Sequence, residues 1–362
     1  LGPLLELTQS PPPVEPHVAK DKPRIQWYRC PVASKELRTL NQCSNVKGFL
    51  QAGGHLALLA VTGSAAYFSA GRLPWPAMLI FFFIHGTCYR FLINGFHELV
   101  HESVFKTRWP NRFFLVIYSF LGWYNHIYFW KSHTEHHKYT LHPPDDLEVV
   151  APVPVSLKAF LHCALVDLQG FYNTLKVNIR LSFGRLNGPW EHALFPESEP
   201  VMRRRFFNWG RIVLVGHTVI TIACCYFDLW LLPIVICLGP FYAGGLQYLC
   251  DKPQHVGLPD NVSDFRLCCR TVIVNPLFRF LHWNMDYHIE HHMYAGVPCY
   301  NLSTLHKLVL NDMPHCPHGL YECWTQIAAI LKRQRQDPDY TFVPQLPNPA
   351  DTSKPQALPT QV

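Results

Sequence analysis

Four long apolar runs separated by short polar turns dominate the pattern of this chain. The first covers residues 49–70, and after Gly71-Arg72-Leu73-Pro74-Trp75 the second covers 76–93. Another pair follows at 212–227 and 231–249, parted only by Asp228-Leu229-Trp230. Runs that are apolar all round, rather than along one helical stripe, do not suit the surface helices of a water-soluble domain. Their lengths approach what a hydrocarbon core requires, and turns this short fold each pair back on itself. The pattern predicts an all-α integral membrane protein with four transmembrane helices arranged as two hairpins.

The remaining stretches fit around these hairpins. Residues 1–48 are polar, carry Ser10-Pro11-Pro12-Pro13 and show no apolar period, so they read as a disordered arm. Residues 334–362, rich in Pro, Gln and Asp, read as a disordered tail, leaving 49–333 as the membrane domain. Residues 113–130 are apolar and aromatic but include Asn125 and His126, and 152–172 is interrupted by Lys158, His162, Asp167 and Gln169. Both are expected to lie in the membrane interface or over the site rather than to cross.

Composition agrees with a membrane setting: 49% of the 362 residues are hydrophobic and 15% are charged. A net charge of +6, with basic residues alternating with apolar blocks, gives no stripe for nucleic acid. The 13 cysteines are odd in number and dispersed, without a Cys-x-x-Cys, so they read as reduced packing thiols rather than a disulfide framework. The tight hairpin turns hold one basic residue, Arg72, whereas Lys106, Arg108, Arg112, Lys131, Lys138, Arg203-Arg204-Arg205 and Lys252 fall on the other side. That side is therefore expected to be cytosolic.

Histidine supplies the chemistry. His97 and His101 follow the second apolar run, His133, His136 and His137 form a His-x-x-His-His box, and His288, His291 and His292 form another after the fourth run. Residues three and four apart share a helix face, so each cluster can converge on a point, and the two hairpins deliver all three clusters to one side. Imidazole suits iron, copper or zinc. Alone, His97-Glu98-Leu99-Val100-His101 matches the His-Glu-x-x-His helix of zinc metalloproteases, with Glu98 as base. A zincin needs only one more ligand and gives no reason for two further boxes. A zinc-stabilised receptor without catalysis is a third reading of the same clusters.

The full arrangement resembles the membrane fatty acid desaturase and hydroxylase superfamily. The resemblance covers about residues 50–330 and extends to Trp130-Lys131-Ser132-His133, to Asp145-Asp146-Leu147-Glu148, and to Asn284, Tyr287, Val297-Pro298, Leu302 and His306 around the last box. It implies four spanning helices under a cytosolic cap that holds a di-iron centre, with the eight box histidines as ligands. Such families often add one ligand after the fourth span, and His255 is the best match. Asp251, Asn284 and Glu98 are expected to orient ligands, with Glu102, Glu135, Asp286 and Glu290 as further possibilities. His282 is a doubtful neighbour, and His85, His126, His142, His162 and His217 are taken as structural.

The activity implied is O2-dependent desaturation of an acyl or other lipid-like chain, or else hydroxylation, ketolation or epoxidation of a lipid or isoprenoid-like metabolite. No dinucleotide fingerprint or fused cytochrome b5 domain is visible. Electrons are therefore expected from a separate donor, cytochrome b5 or ferredoxin, fed by an NAD(P)H reductase. The resemblance further implies residence in the endoplasmic reticulum if the source is eukaryotic.

Overall fold

At Phe91 the backbone breaks between an apolar helix with an exposed flank and the helix that carries His97. The computed structural model describes residues 24–348, and every regular element among them is helical. In chain order these are α1 (Ser34–Leu40), α2 (Asn45–Ser69), α3 (Trp75–Arg90), α4 (Leu92–Val100), α5 (Arg108–Leu121) and α6 (His126–Tyr139). Then come α7 (Leu157–Ala164), α8 (Leu168–Ser182), α9 (Gly188–Leu194), α10 (Pro200–Tyr226), α11 (Leu232–Ile236) and α12 (Gly245–Asp251). The last are α13 (Phe265–Cys268), α14 (Pro276–Leu281), α15 (His288–Met293), α16 (Leu302–Val309) and α17 (Gly319–Gln334).

Three stretches are long and apolar enough to cross a membrane: Asn45–Ser69, Trp75–Val100 and Pro200–Tyr226. They leave Val61, Leu79, Ile80, Phe83, Val215, Val219 and Ile222 exposed. In water this surface would cost about 25 cal/mol for each Å² left uncovered, a penalty that lipid removes. Helices α2 and α3 pack as a hairpin, started afresh by Pro74 and Pro76 after the turn.

The fourth expected span, 231–249, does not form one continuous helix. It divides into α11, a 3-10 turn at Gly239–Phe241 and α12, because Pro233, Gly239, Pro240, Gly244 and Gly245 interrupt the apolar run. Gly239 also admits a close approach that no other residue could make, since a Cβ there would meet the Tyr89 ring at 2.4 Å. The freed carbonyls find new donors. His85 Nε2 lies 3.1 Å from the Val235 oxygen, Tyr89 donates to Ile236 (2.6 Å), Trp123 to Cys237 (2.8 Å), Arg90 to Pro240 (2.5 Å) and Thr87 to Ala243 (3.1 Å). Irregular backbone at membrane depth is tolerated where protein groups satisfy it in this way.

A second correction concerns the arm. Residues 24–48 contain α1 and a strap that crosses the opposite end of the chain: Trp27 stacks on Phe265 at 4.1 Å, and Tyr28 donates to Asp312 (2.6 Å). Cys30 is fully buried, its N–H on the Met293 sulfur (3.3 Å). These anchors are spaced without period, so a search for periodicity passes over them. Residues 1–23 and 349–362 of the expected arm and tail lie outside the described residues. Of the remaining tail, Phe342 hydrogen-bonds the Gly257 carbonyl (2.7 Å). Neither α5 nor α7 reaches spanning length; α5 buries Phe114 and Tyr118 and exposes Trp109, Phe113 and Val116.

Candidate metal centre

Helix α4 is pressed into the core by its small residue, since a Cβ on Gly95 would meet the Tyr118 and Trp283 rings at 2.4 and 2.5 Å. This seats His97 on α4 and His101 at its C-terminus, and Asn111 of α5 ties the end down through the Leu99 carbonyl (2.7 Å). Helix α6 starts where the Asn125 side chain accepts from the Ile127 and Tyr128 N–H groups, both at 3.2 Å. It presents His133, His136 and His137. Helix α15 is only six residues long but wholly buried, and presents His288, His291 and His292.

Nine histidines meet as two groups. His97, His101, His133, His137 and His291 offer nitrogens within 4.8 Å of one another, as do His255, His288 and His292 together with Cys269. His136 stands beside the second group, its ring centroid 5.0 Å from His292 and 5.3 Å from His255. The Nε2 atoms point at each other: 3.0 Å for His133 and His137, 3.1 Å for His137 and His291, 2.9 Å for His255 and His288, 3.1 Å for His288 and His292.

The opposite ring edges explain this. His133 Nδ1 lies 2.7 Å from Glu148, His136 Nδ1 2.8 Å from Asp146, His97 Nδ1 3.1 Å from Glu98 and His255 Nδ1 2.8 Å from the Cys268 carbonyl. Facing these acceptors the Nδ1 atoms carry the hydrogen, and the Nε2 atoms of His97, His133, His136 and His255 keep their lone pairs. A cation set between such nitrogens would take up the lone pair of each ring. Two nitrogens bound at right angles to one metal, at about 2.0–2.1 Å each, are separated by about 3 Å. His101 Nε2 is also buried without a hydrogen-bond partner. The donor set and its spacing fit two metal ions.

Electrostatics agrees. Burial, reinforced by neighbouring imidazoles, pushes His101 down to about 4 and His255 to about 3, and holds His133, His137, His288, His291 and His292 well below the ordinary value. These rings are neutral at pH 7, the form in which imidazole binds a metal. His136 differs: burial lowers it, but Asp146 beside it outweighs burial and leaves it raised. Asp146 is raised by burial and lowered more by His136 and by the N–H groups of Leu141 and Glu148, ending below the usual carboxylate range.

The expected orienting residues divide. Glu98 accepts from His97 and lies 3.4 Å from His291 Nδ1, so it joins α4 to α15. Asp251 does not meet a box histidine; it accepts from His282 (2.7 Å), Asn94 (3.0 Å) and Gln247. Asn284 has a backbone part, with φ of 56° and its N–H on the Arg279 carbonyl (2.9 Å). Glu290 is fully buried between His306 and Thr271 (2.6 Å), Asp286 faces Arg279 (3.1 Å), Glu135 pairs with Lys138 (2.8 Å), and Glu102 lies 3.9 Å from Arg112. Among the histidines taken as structural, His85 bonds Thr62 (2.9 Å) and His217 stacks on Trp123 at 4.1 Å. Sequence reasoning gave no part to Thr140, which lies 3.2 Å from His292 Nδ1, or to Cys269, and took Asp146 and Glu148 only as signs of resemblance. Acidic residues ten to fifteen positions after a histidine box were the available signal.

Comparison with known proteins agrees with this geometry. The model of the fatty acid desaturase family matches residues 73–324. The chain is 21% identical over 316 residues to the sphingolipid delta(4)-desaturase DES1 of Bos taurus, covering 82% of this chain and 86% of the relative. It is 20% identical over 315 residues to the protein of the same description from Xenopus tropicalis, with the same coverage. The family unites membrane-bound oxidoreductases of lipid metabolism. Since the match covers more than half of the chain and takes in all three histidine clusters, the chain belongs to the fatty acid desaturase family.

Proposed function

We propose that this protein is an O2-dependent, non-haem di-iron oxidoreductase that introduces a double bond into an acyl or other lipid-like chain. The observation that carries the reading is the pair of imidazole groups with opposed Nε2 atoms. One iron would be held by His97, His101, His133, His137 and His291, the other by His136, His255, His288 and His292. Iron supplies the oxygen activation and one-electron chemistry that an unactivated C–H bond requires and that acid-base side chains cannot provide. The chain's own part is to hold the rings. Glu98, Asp146, Glu148 and the Cys268 carbonyl fix the tautomers, and burial of α15 keeps bulk water away. The desaturase descriptions of the relatives support loss of two hydrogens over insertion of oxygen.

The zinc readings fit less well. Nine imidazoles exceed what a four-coordinate zinc uses, and Glu98, hydrogen-bonded to His97, is engaged as an orienting group rather than free as a protease base. In the topology that suits this function, Leu231–Asp251 makes the second return through the bilayer as a broken path, with the metal groups in a cap on the cytosolic side. Electrons would come from cytochrome b5 or ferredoxin and an NAD(P)H reductase, in the endoplasmic reticulum if the source is eukaryotic.

Metal analysis of detergent-purified protein tests the reading: iron filling both groups is expected, whereas a single zinc without iron would overturn it. Product mass spectrometry in a host supplying cytochrome b5 then separates loss of two hydrogens from gain of one oxygen.

A further inference from the structure

Among the described residues, Cys269 brings a sulfur donor to the second group. Cys269 is 1% exposed, and its sulfur, with the ligand nitrogens of His255, His288 and His292, belongs to a set of atoms all within 4.8 Å of one another. It stands where α13 ends, in extended backbone (φ −121°, ψ 159°), with its N–H on the Phe265 carbonyl at 2.9 Å. The preceding cysteine acts through its backbone instead, since Cys268 gives its carbonyl to His255 Nδ1, while the two sulfurs lie 4.0 Å apart. The dipeptide thus touches the second group twice, once orienting a ligand and once presenting a donor atom.

The two groups are unequal without this thiol. Five imidazoles are gathered in the first; the second gathers three, with His136 alongside. We propose that Cys269 is a thiolate ligand of the second metal, an inference that rests on the two-metal reading of the same centre. On binding, the sulfur–metal bond forms as the S–H proton leaves for solvent, and no electron is transferred. Thiolate is anionic and soft, so the second ion would carry a charge compensation that five neutral imidazoles do not give the first. The ions would be chemically distinct and distinguishable by spectroscopy.

The full-length protein in detergent, stripped and reloaded with Co(II), provides the test. A near-ultraviolet thiolate-to-cobalt charge-transfer band is expected, lost in Cys269→Ser and kept in Cys268→Ser while both sites stay filled. Iron-edge X-ray absorption of the wild-type protein needs no variant and should show a sulfur neighbour at about 2.3 Å, the usual length of a metal–thiolate bond. Filled sites with nitrogen and oxygen neighbours only, or a band that survives Cys269→Ser, would make Cys269 a packing thiol and overturn the inference while the two-metal reading stood. Failure to take up either metal would overturn both.

Discussion

The two His-x-x-His-His boxes are spelled alike and used in opposite senses. On α6, His133 and His137 serve the first metal group while His136 turns to the second; on α15, His288 and His292 serve the second while His291 turns to the first. Their supports differ as well. The α6 rings are backed by carboxylates, Glu148 at 2.7 Å and Asp146 at 2.8 Å. On α15, His292 meets only the Thr140 hydroxyl (3.2 Å), His291 Nδ1 lies 3.4 Å from Glu98 without a hydrogen bond, and His288 Nδ1, like that of His137 on α6, has no hydrogen-bond partner among the described residues. The short helix is held instead from its far side, by Glu290 on His306 and Thr271 and by the Ile289 N–H on Thr271 (3.2 Å). Helical spacing decides which residues share a face; the neighbouring elements decide which histidine group that face joins.

The crossing residues offer the strongest test. His136→Ala and His291→Ala should each abolish turnover with membrane insertion intact; substantial activity in either, measured by product formation, would break the crossed assignment. His288→Ala should behave the same way. Next in size is the anionic backing: Asp146→Asn and Glu148→Gln should each weaken metal affinity by about 10–100-fold in competition with a chelator. Thr140→Val, on the weakly backed side, should cost less than either, and an equal loss would erase the contrast between the boxes. Glu290→Gln should lower the stability of the folded protein by about 1–3 kcal/mol, read from denaturant melts, because it weakens two bonds to a buried carboxylate.

The smallest effect depends on pH. The folded Asp146 titrates below its ordinary 3.8, so its contribution is present above that unfolded value and lost as pH falls through the folded one. His136 is raised above 6.5, so its contribution is present below 6.5 and lost as pH rises through the folded value. The metal-free protein should therefore gain most from this pair between about pH 4 and 6.5. Thermal melts of Asp146→Asn should fall furthest below wild type in that window, and above it the gap should narrow to the part that the Leu141 and Glu148 N–H bonds maintain. A constant gap across pH would mean that Asp146 acts through packing alone.

The histidine clusters were legible because their spacing is local and the apolar runs fixed their common side. Which ring joins which metal was not, since that depends on the meeting of helices over 150 residues apart, as for His137 and His291. The break at Gly239-Pro240 was in plain view, yet the apolar content of 231–249 masked it; only the donors from His85, Tyr89, Arg90 and Trp123 make an interrupted path tenable. The Asp251–His282 pair joins residues 31 apart through the fold, and no periodicity marks it.

The strap at Trp27 to Cys30 imposes an order of events on synthesis. Trp27 to Cys30 emerge from the ribosome more than 230 residues ahead of their partners Phe265, Met293 and Asp312. The pocket shares this timetable, as its ligands run from His97 to His292. Neither histidine group can be complete until His291 and His292 have emerged, and the strap finds its partners on α13 and α15 only then. Assembly of both histidine groups and docking of the strap thus wait on the same stretch of chain.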